Sequence, residues 1–92
     1  MKKILLIEDD SNYIWHIKNF LQRKGYHVLV AFTVSQGKEL IEKEQILIIG
    51  SDLKLSDGSG MELLEYLREK TYKIPFLFFT CYDKERSIGK GS

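Results

Sequence analysis

Acidic side chains follow two apolar runs of this sequence, and a threonine closes a third. Glu8, Asp9 and Asp10 come directly after the first run, Asp52 closely follows another, and Thr80 ends the last. Carboxylates that are held close together repel one another unless a cation neutralises them. A hard divalent ion such as Mg²⁺ or Mn²⁺ suits an incomplete set of carboxylate ligands. A carboxylate beside such an ion can act as a nucleophile and form an aspartyl-phosphate.

Helix capping is the simpler explanation for acids that follow a strand. A side chain such as that of Asp10 can accept hydrogen bonds from the first turn of the next helix and favour its positive end. Capping explains Asp10 well, but it does not explain why Glu8, Asp9 and Asp52 occur together after two different strands.

Strand and helix patterns alternate along the chain. Four short apolar segments predict strands, and three segments with helical spacing of apolar residues predict helices. The predicted strands cover residues 4–7, 27–32, 46–49 and 76–80, and the predicted helices cover about 11–24, 35–41 and 61–70. This alternation predicts an α/β fold, an open doubly wound parallel sheet with right-handed crossovers. Ligands of such sheets bind outside the carboxyl ends of the strands, where the acids and Thr80 would lie.

Length and composition limit the classes of function. A chain of 92 residues has room for one domain, which we expect to span residues 1–92. Basic residues are scattered among acids with a formal net charge of +1, so no nucleic-acid surface is predicted. The first apolar run is too short for a membrane span. A single cysteine, Cys81, forms no internal disulfide and fits the reducing cytoplasm.

Three segments together resemble a known family. ILLIEDD at 4–10, DLKLSDGSG at 52–60 and IPFLFFT at 74–80 are similar, in order and spacing, to the signature segments of response-regulator receiver domains. The resemblance implies a flavodoxin-like receiver fold that lacks its last strand and helix here. It also implies a two-component phosphorelay module of the cytoplasm.

The resemblance assigns roles to particular residues. It implies that Glu8, Asp9 and Asp52 bind Mg²⁺ together with the backbone carbonyl of Lys54. Asp52 would take a phosphoryl group from a sensor histidine kinase or a phosphotransfer protein. Thr80 would hydrogen-bond the phosphoryl group and report phosphorylation by reorienting. Activity of the chain itself would be at most self-phosphorylation and dephosphorylation. The side chains of Lys54 and Tyr82 would tune the dephosphorylation.

The sequence departs from the family pattern at several positions. Ser56 stands where the family usually has proline, and Gly50-Ser51 replaces a bulkier pair, which predicts a less packed strand end. The essential lysine of the family's fifth strand has no aligned counterpart. Residues 81–92 are predicted to be a polar tail or the start of a fourth helix, and their lysines are expected to be solvated.

Two alternative functions stay open at this point. A receiver-like module that binds other proteins without being phosphorylated would also keep the acids, and the missing lysine favours it. A phosphatase of the haloacid-dehalogenase type uses an Asp-x-Asp motif after its first strand, which Glu8-Asp9-Asp10 does not match. We also expect self-association, because the strand at 76–79 would be an exposed sheet edge.

Overall fold

A computed structural model describes residues 3–79 of the chain. Apolar segments that are too short for helices form strands, and segments with apolar residues at helical spacing form helices. In chain order the elements are β1 (Lys3–Ile7), α1 (Ser11–Arg23), β2 (His27–Ala31), α2 (Val34–Lys43), β3 (Ile48–Asp52), β4 (Lys54–Leu55), β5 (Gly58–Ser59), α3 (Gly60–Glu69) and β6 (Phe76–Phe79).

The main sheet has four parallel strands in the order β2-β1-β3-β6. β1 lies inside it, so Leu5 and Ile7 are fully buried, as the unbroken apolar run predicted. In the register, Ile7 is opposite both Ala31 and Ser51, which aligns the carboxyl ends of three strands. The predicted open parallel sheet is thereby confirmed.

Helices cover both faces of this sheet. α2 and α3 pack on one face, where Val34, Ile41, Leu63 and Leu67 join the larger buried cluster with residues of β1. α1 packs on the other face through a smaller cluster of Leu6, Ile14 and Val28. This two-sided cover is the doubly wound arrangement that the alternating pattern predicted.

Gly37 lies in the middle of α2 in spite of its low helix propensity. It is buried, and a Cβ atom at this position would lie 3.0 Å from Cδ1 of Ile7 and 3.3 Å from Cδ2 of Leu63. The missing side chain therefore allows α2 to approach both the sheet and α3.

Several element boundaries differ from the sequence prediction. The third main strand runs over Ile48–Asp52 instead of 46–49, because its pairing with β6 continues to Asp52, which is opposite Phe79. α2 begins at Val34 behind an N-cap at Thr33, not at Ser35. The segment between Asp52 and Gly60, for which no strand or helix was predicted, contains an antiparallel hairpin, β4–β5.

β6 is the last strand of the sheet on its side within the described residues. Leu77 is 58% exposed and Phe78 is 39% exposed. Phe79, by contrast, packs against the cluster beneath α1.

Among the helices of residues 3–79, none has the length and apolar character needed to cross a membrane.

Candidate phosphoacceptor and metal site

Glu8 lies at the carboxyl end of β1 and is fully buried. Its backbone N–H donates to the carbonyl oxygen of Ala31 at 3.0 Å, which extends the pairing of β1 with β2. Its Oε2 accepts hydrogen bonds from the backbone N–H groups of Asp9, at 3.0 Å, and Asp10, at 2.8 Å. Hydrogen bonds to a carboxylate favour the charged form, so they offset part of the cost of burying Glu8 and fix its orientation.

Asp9 and Asp10 have different roles in the structure. Asp10 is the N-cap of α1, since its Oδ1 accepts from the backbone N–H groups of Asn12 and Tyr13 at 3.0 and 3.2 Å. Asp9 is exposed and belongs to the acidic group described below. The capping explanation thus holds for Asp10 alone.

Asp52 is the last residue of β3 and is only 4% exposed. Phe79 of the neighbouring strand β6 is its register partner, and Gly60 of α3 lies against its carbonyl. The hydroxyl of the neighbouring Ser51, which is fully buried, donates to that same carbonyl oxygen at 2.8 Å. The backbone of Asp52 is therefore fixed at the carboxyl end of β3.

The strand end before Asp52 is better packed than the sequence prediction held. Gly50 leaves space, but the ring of Phe79 fills it, with Cε2 3.3 Å from where a Cβ atom of Gly50 would lie. The same ring lies 5.3 Å from the ring of Tyr13, centroid to centroid. Phe79 thus replaces the bulk that the small pair Gly50-Ser51 lacks.

Glu8, Asp9 and Asp52 form one acidic cluster where the carboxyl ends of β1 and β3 meet. Each offers a carboxylate oxygen, and the three oxygens lie within 4.8 Å of one another. The donors are all hard oxygens and two of the three residues are buried, which is the chemistry that Mg²⁺ or Mn²⁺ prefers. The residues present therefore fit a hard divalent ion. We name these three residues the acidic cluster.

The fourth predicted metal ligand, Lys54, lies at the start of β4, where it pairs with Ser59. Its participation through the backbone carbonyl stays a prediction. Thr80, Cys81, Tyr82 and the lysines of the tail, Lys84 and Lys90, lie outside the described residues. The roles of Thr80 and Tyr82 and the nature of residues 81–92 also stay predictions.

One aspartate outside the acidic cluster, for which no role was predicted, has a specific contact. Asp57, in the turn between β4 and β5, accepts hydrogen bonds from the backbone N–H groups of Val34 at 2.7 Å and Ser35 at 3.1 Å. The hydrogen bond from Val34 and the weaker one from Ser35 hold the pKa of Asp57 below its ordinary value. An aspartate next to a glycine indicates a turn, but no sequence signal gives the helix that it would cap.

Comparisons with known proteins agree with this geometry. The family model of the response regulator receiver domain matches residues 4–91. The photosynthetic apparatus regulatory protein RegA of Rhodobacter capsulatus is 30% identical over 81 residues, a match that covers 88% of this chain and 44% of RegA. The chain thus spans less than half the length of that relative.

Solved structures match over most of the chain. The non-phosphorylated receiver domain of HemR from Leptospira biflexa is 31% identical with a TM-score of 0.80, and the match covers all of this chain and 77% of that one. A response regulator from Burkholderia pseudomallei, solved with a phosphorylated aspartic acid, a calcium ion and citrate, is 28% identical with a TM-score of 0.79. That match covers 87% of this chain and 47% of the other. On the family match and the shared fold, this chain belongs to the response regulator receiver domains.

Proposed function

We propose that this chain is the phosphoacceptor module of a two-component phosphorelay, with Asp52 as the acceptor. The single observation that carries the proposal is the acidic cluster, three carboxylate oxygens within 4.8 Å at the carboxyl edge of the sheet. Membership of the receiver family and the phosphorylated aspartic acid in the Burkholderia pseudomallei relative support it.

The proposed reaction transfers a phosphoryl group from a phosphohistidine of a sensor histidine kinase or a phosphotransfer protein. A carboxylate oxygen of Asp52 attacks the phosphorus atom, a new O–P bond forms, and the P–N bond of the donor breaks. The electron pair of that bond stays on the imidazole nitrogen. Water later attacks the acyl phosphate, which releases inorganic phosphate and restores the carboxylate.

Mg²⁺ or Mn²⁺ held by Glu8, Asp9, Asp52 and the carbonyl of Lys54 would neutralise the charge of the transferred group. The protein contributes a fixed geometry, because the hydrogen bonds to Glu8 and the burial of Asp52 keep two of the carboxylates in place before a donor arrives. Thr80 would hydrogen-bond the phosphoryl oxygen. It directly follows Phe79, the register partner of Asp52.

Three further statements belong to the same proposal. Residues 1–92 act as one domain, which the family match over residues 4–91 supports. The module works in the cytoplasm. Membership of the family supports this location, and a single cysteine, Cys81, is consistent with a reducing compartment. It associates with itself through the β6 edge, where Leu77 and Phe78 are exposed.

Labelling with phosphoramidate tests the reaction, because this small donor carries the same P–N bond as phosphohistidine. We expect tandem mass spectrometry to find one phosphoryl group on Asp52 when Mg²⁺ is present. A chelator should abolish it, and Asp52→Asn should carry none. Asp10→Asn serves as the control, since Asp10 caps α1 and lies outside the acidic cluster. Label on another residue would contradict Asp52 as the acceptor. No label in a folded protein that binds Mg²⁺ would leave the non-phosphorylated interaction module as the better explanation.

A further inference from the structure

The hairpin that follows Asp52 has little stability of its own. β4 and β5 pair through only two residue pairs, Lys54 with Ser59 and Leu55 with Gly58. Isolated two-stranded hairpins are marginal in water even when they are longer than this. Contacts outside the hairpin must therefore fix its position.

Asp57 supplies such a contact at the hairpin turn. Its two carboxylate oxygens accept separately from the backbone N–H groups of Val34 and Ser35, the first two residues of α2. Hydrogen bonds to an ionised acceptor are stronger than those between neutral groups, and the positive end of the helix adds to them. Asp57 therefore attaches the hairpin to α2 from a position 23 residues further along the chain than Val34.

α2 has a separate cap of its own at the same end. The hydroxyl oxygen of Thr33 accepts from the backbone N–H of Gln36 at 3.1 Å, and the Thr33 carbonyl accepts from Gly37 at 3.0 Å. Thr33 and Asp57 thus divide the first N–H groups of the helix between them. Of these two caps, Asp57 is the one that connects the helix to the hairpin.

The two elements that Asp57 connects, the hairpin and α2, are each linked to a residue of the acidic cluster. On one side, the hairpin begins at Lys54, two residues after Asp52, and closes through the Gly60 N–H, which donates to the Leu53 carbonyl at 2.9 Å. On the other side, α2 follows β2, whose last residue Ala31 accepts the hydrogen bond from Glu8. Asp57 thus closes a ring of contacts that runs from Asp52 through the hairpin and α2 back to Glu8.

We infer that Asp57 is a positioning residue of the phosphoacceptor site, which holds the β4–β5 hairpin, and with it the Lys54 backbone, in the place that metal binding requires. The role in metal binding rests on the proposed function, whereas the hold on the hairpin does not. Asp57 touches neither the ion nor the phosphoryl group in this scheme.

Hydrogen exchange and Mn²⁺ binding, measured on the whole chain, test the two parts separately. In Asp57→Ala we expect exchange of the Gly60 amide to accelerate by at least about tenfold, because two charge-assisted hydrogen bonds that hold the hairpin are lost. We expect the Mn²⁺ dissociation constant, followed by electron paramagnetic resonance, to rise about tenfold, the lower end of what outer-shell residues cause.

Thr33→Ala is the matched control, because it removes a cap from the same helix but no contact of the hairpin. It should lower the melting temperature as Asp57→Ala does, yet leave Gly60 exchange and Mn²⁺ affinity near those of the wild type. Asp57→Asn, which keeps one acceptor oxygen, should lie between wild type and Asp57→Ala and provides a milder variant should Asp57→Ala not fold.

The outcomes are distinguishable. Equal Gly60 exchange in Asp57→Ala and Thr33→Ala would overturn the inference and leave the proposed function standing. Faster exchange in Asp57→Ala with unchanged Mn²⁺ affinity would also overturn it, because the hairpin would then not position the site. A wild-type chain that binds no Mn²⁺ would contradict the proposed function and the metal-binding part of the inference, while Gly60 exchange would still decide whether Asp57 holds the hairpin.

Discussion

Gly60 lies so close to Asp52 that no larger residue fits between α3 and the end of β3. A Cβ atom on Gly60 would be 2.6 Å from the carbonyl oxygen of Asp52 and 2.8 Å from the hydroxyl oxygen of Ser51. Since one of these atoms belongs to the backbone, the clash cannot be relieved by rotating a side chain. The distance between α3 and the end of β3 therefore depends on Gly60 having no Cβ atom.

Gly60→Ala should destabilise the fold although alanine is the better helix former. Overpacking costs about 1–3 kcal/mol in the free energy of unfolding, and the gain in helix propensity is at most about 1 kcal/mol. Urea unfolding measures the difference. Met61→Ala, at an exposed neighbouring position in the same helix, should change stability by no more than about 0.5 kcal/mol. A Gly60→Ala chain as stable as Met61→Ala would show that α3 can shift freely away from Asp52.

The acidic cluster should bind Mg²⁺ or Mn²⁺ and be stabilised by it. Binding to the folded state alone raises the melting temperature as the ion concentration increases. Asp9→Ala and Asp52→Ala should each weaken binding by at least about tenfold, since even outer-shell changes cost that much. Calorimetric titration measures the dissociation constant. Asp10→Ala is the control, because Asp10 is next to the acidic cluster in the sequence but is not part of it. Unchanged affinity in both cluster variants would place the ion elsewhere.

Tyr66 of α3 should ionise only at very high pH. Its hydroxyl donates to the carboxylate of Glu42 on α2, and this hydrogen bond, with burial and the negative charge of Glu42, raises the pKa of Tyr66 to about 12. Because the pKa in the folded state lies above the ordinary value, the contribution of Tyr66 to stability is complete below about pH 10. It is lost as the pH rises from there through about 12.

Glu42→Gln should lower the pKa of Tyr66 toward its ordinary value and reduce the loss of stability in that alkaline range. Ultraviolet absorbance of the phenolate follows all tyrosines, so NMR of the Tyr66 ring gives the residue-specific titration. Glu39→Gln, on the same helix, is the control and should leave Tyr66 unchanged. If both substitutions shift the Tyr66 pKa equally, general charge rather than the hydrogen bond is the cause.

The β6 edge should promote self-association of the chain. Unpaired backbone groups and exposed apolar side chains at a sheet edge template contacts with another copy. Sedimentation at increasing concentration should show an assembly larger than the monomer, and Leu77→Lys should weaken it, because Leu77 is among the most exposed apolar residues. Phe32→Lys is the control, because Phe32 is also an exposed apolar residue but directly follows β2, at the opposite edge of the sheet. A single monomeric species up to high micromolar concentration would exclude this association.

The sequence predicted the main elements because each carries a local pattern. Four apolar runs and three amphipathic segments identified four strands and three helices, and the acids at strand ends pointed to one edge of the sheet. The end of β3 was missed, because Gly50 and Ser51 have no strand pattern and only pairing with β6 extends the strand to Asp52.

Contacts between distant segments were beyond the sequence patterns. Asp57 stands beside a glycine, a pattern that indicates only a turn, and nothing in its sequence neighbourhood indicates that Val34 and Ser35 are its partners. In the same way, Phe79 was predicted only as a strand residue, whereas its ring fills the space above Gly50. Both contacts depend on the tertiary arrangement of β6, α2 and the hairpin.

The strand order β2-β1-β3-β6 affects how the chain can fold as well as what it can bind. β1, α1 and β2 are neighbours in the sequence and can assemble early, but β3 must cross over β1 to reach its other side. Such long-range parallel pairing closes a large loop and is slow. Until it occurs, Glu8 and Asp9 have no Asp52 beside them. On the proposed function, a newly synthesised amino-terminal half would therefore be inert toward phosphodonors, and competence would arise in one cooperative step with the β1–β3 pairing.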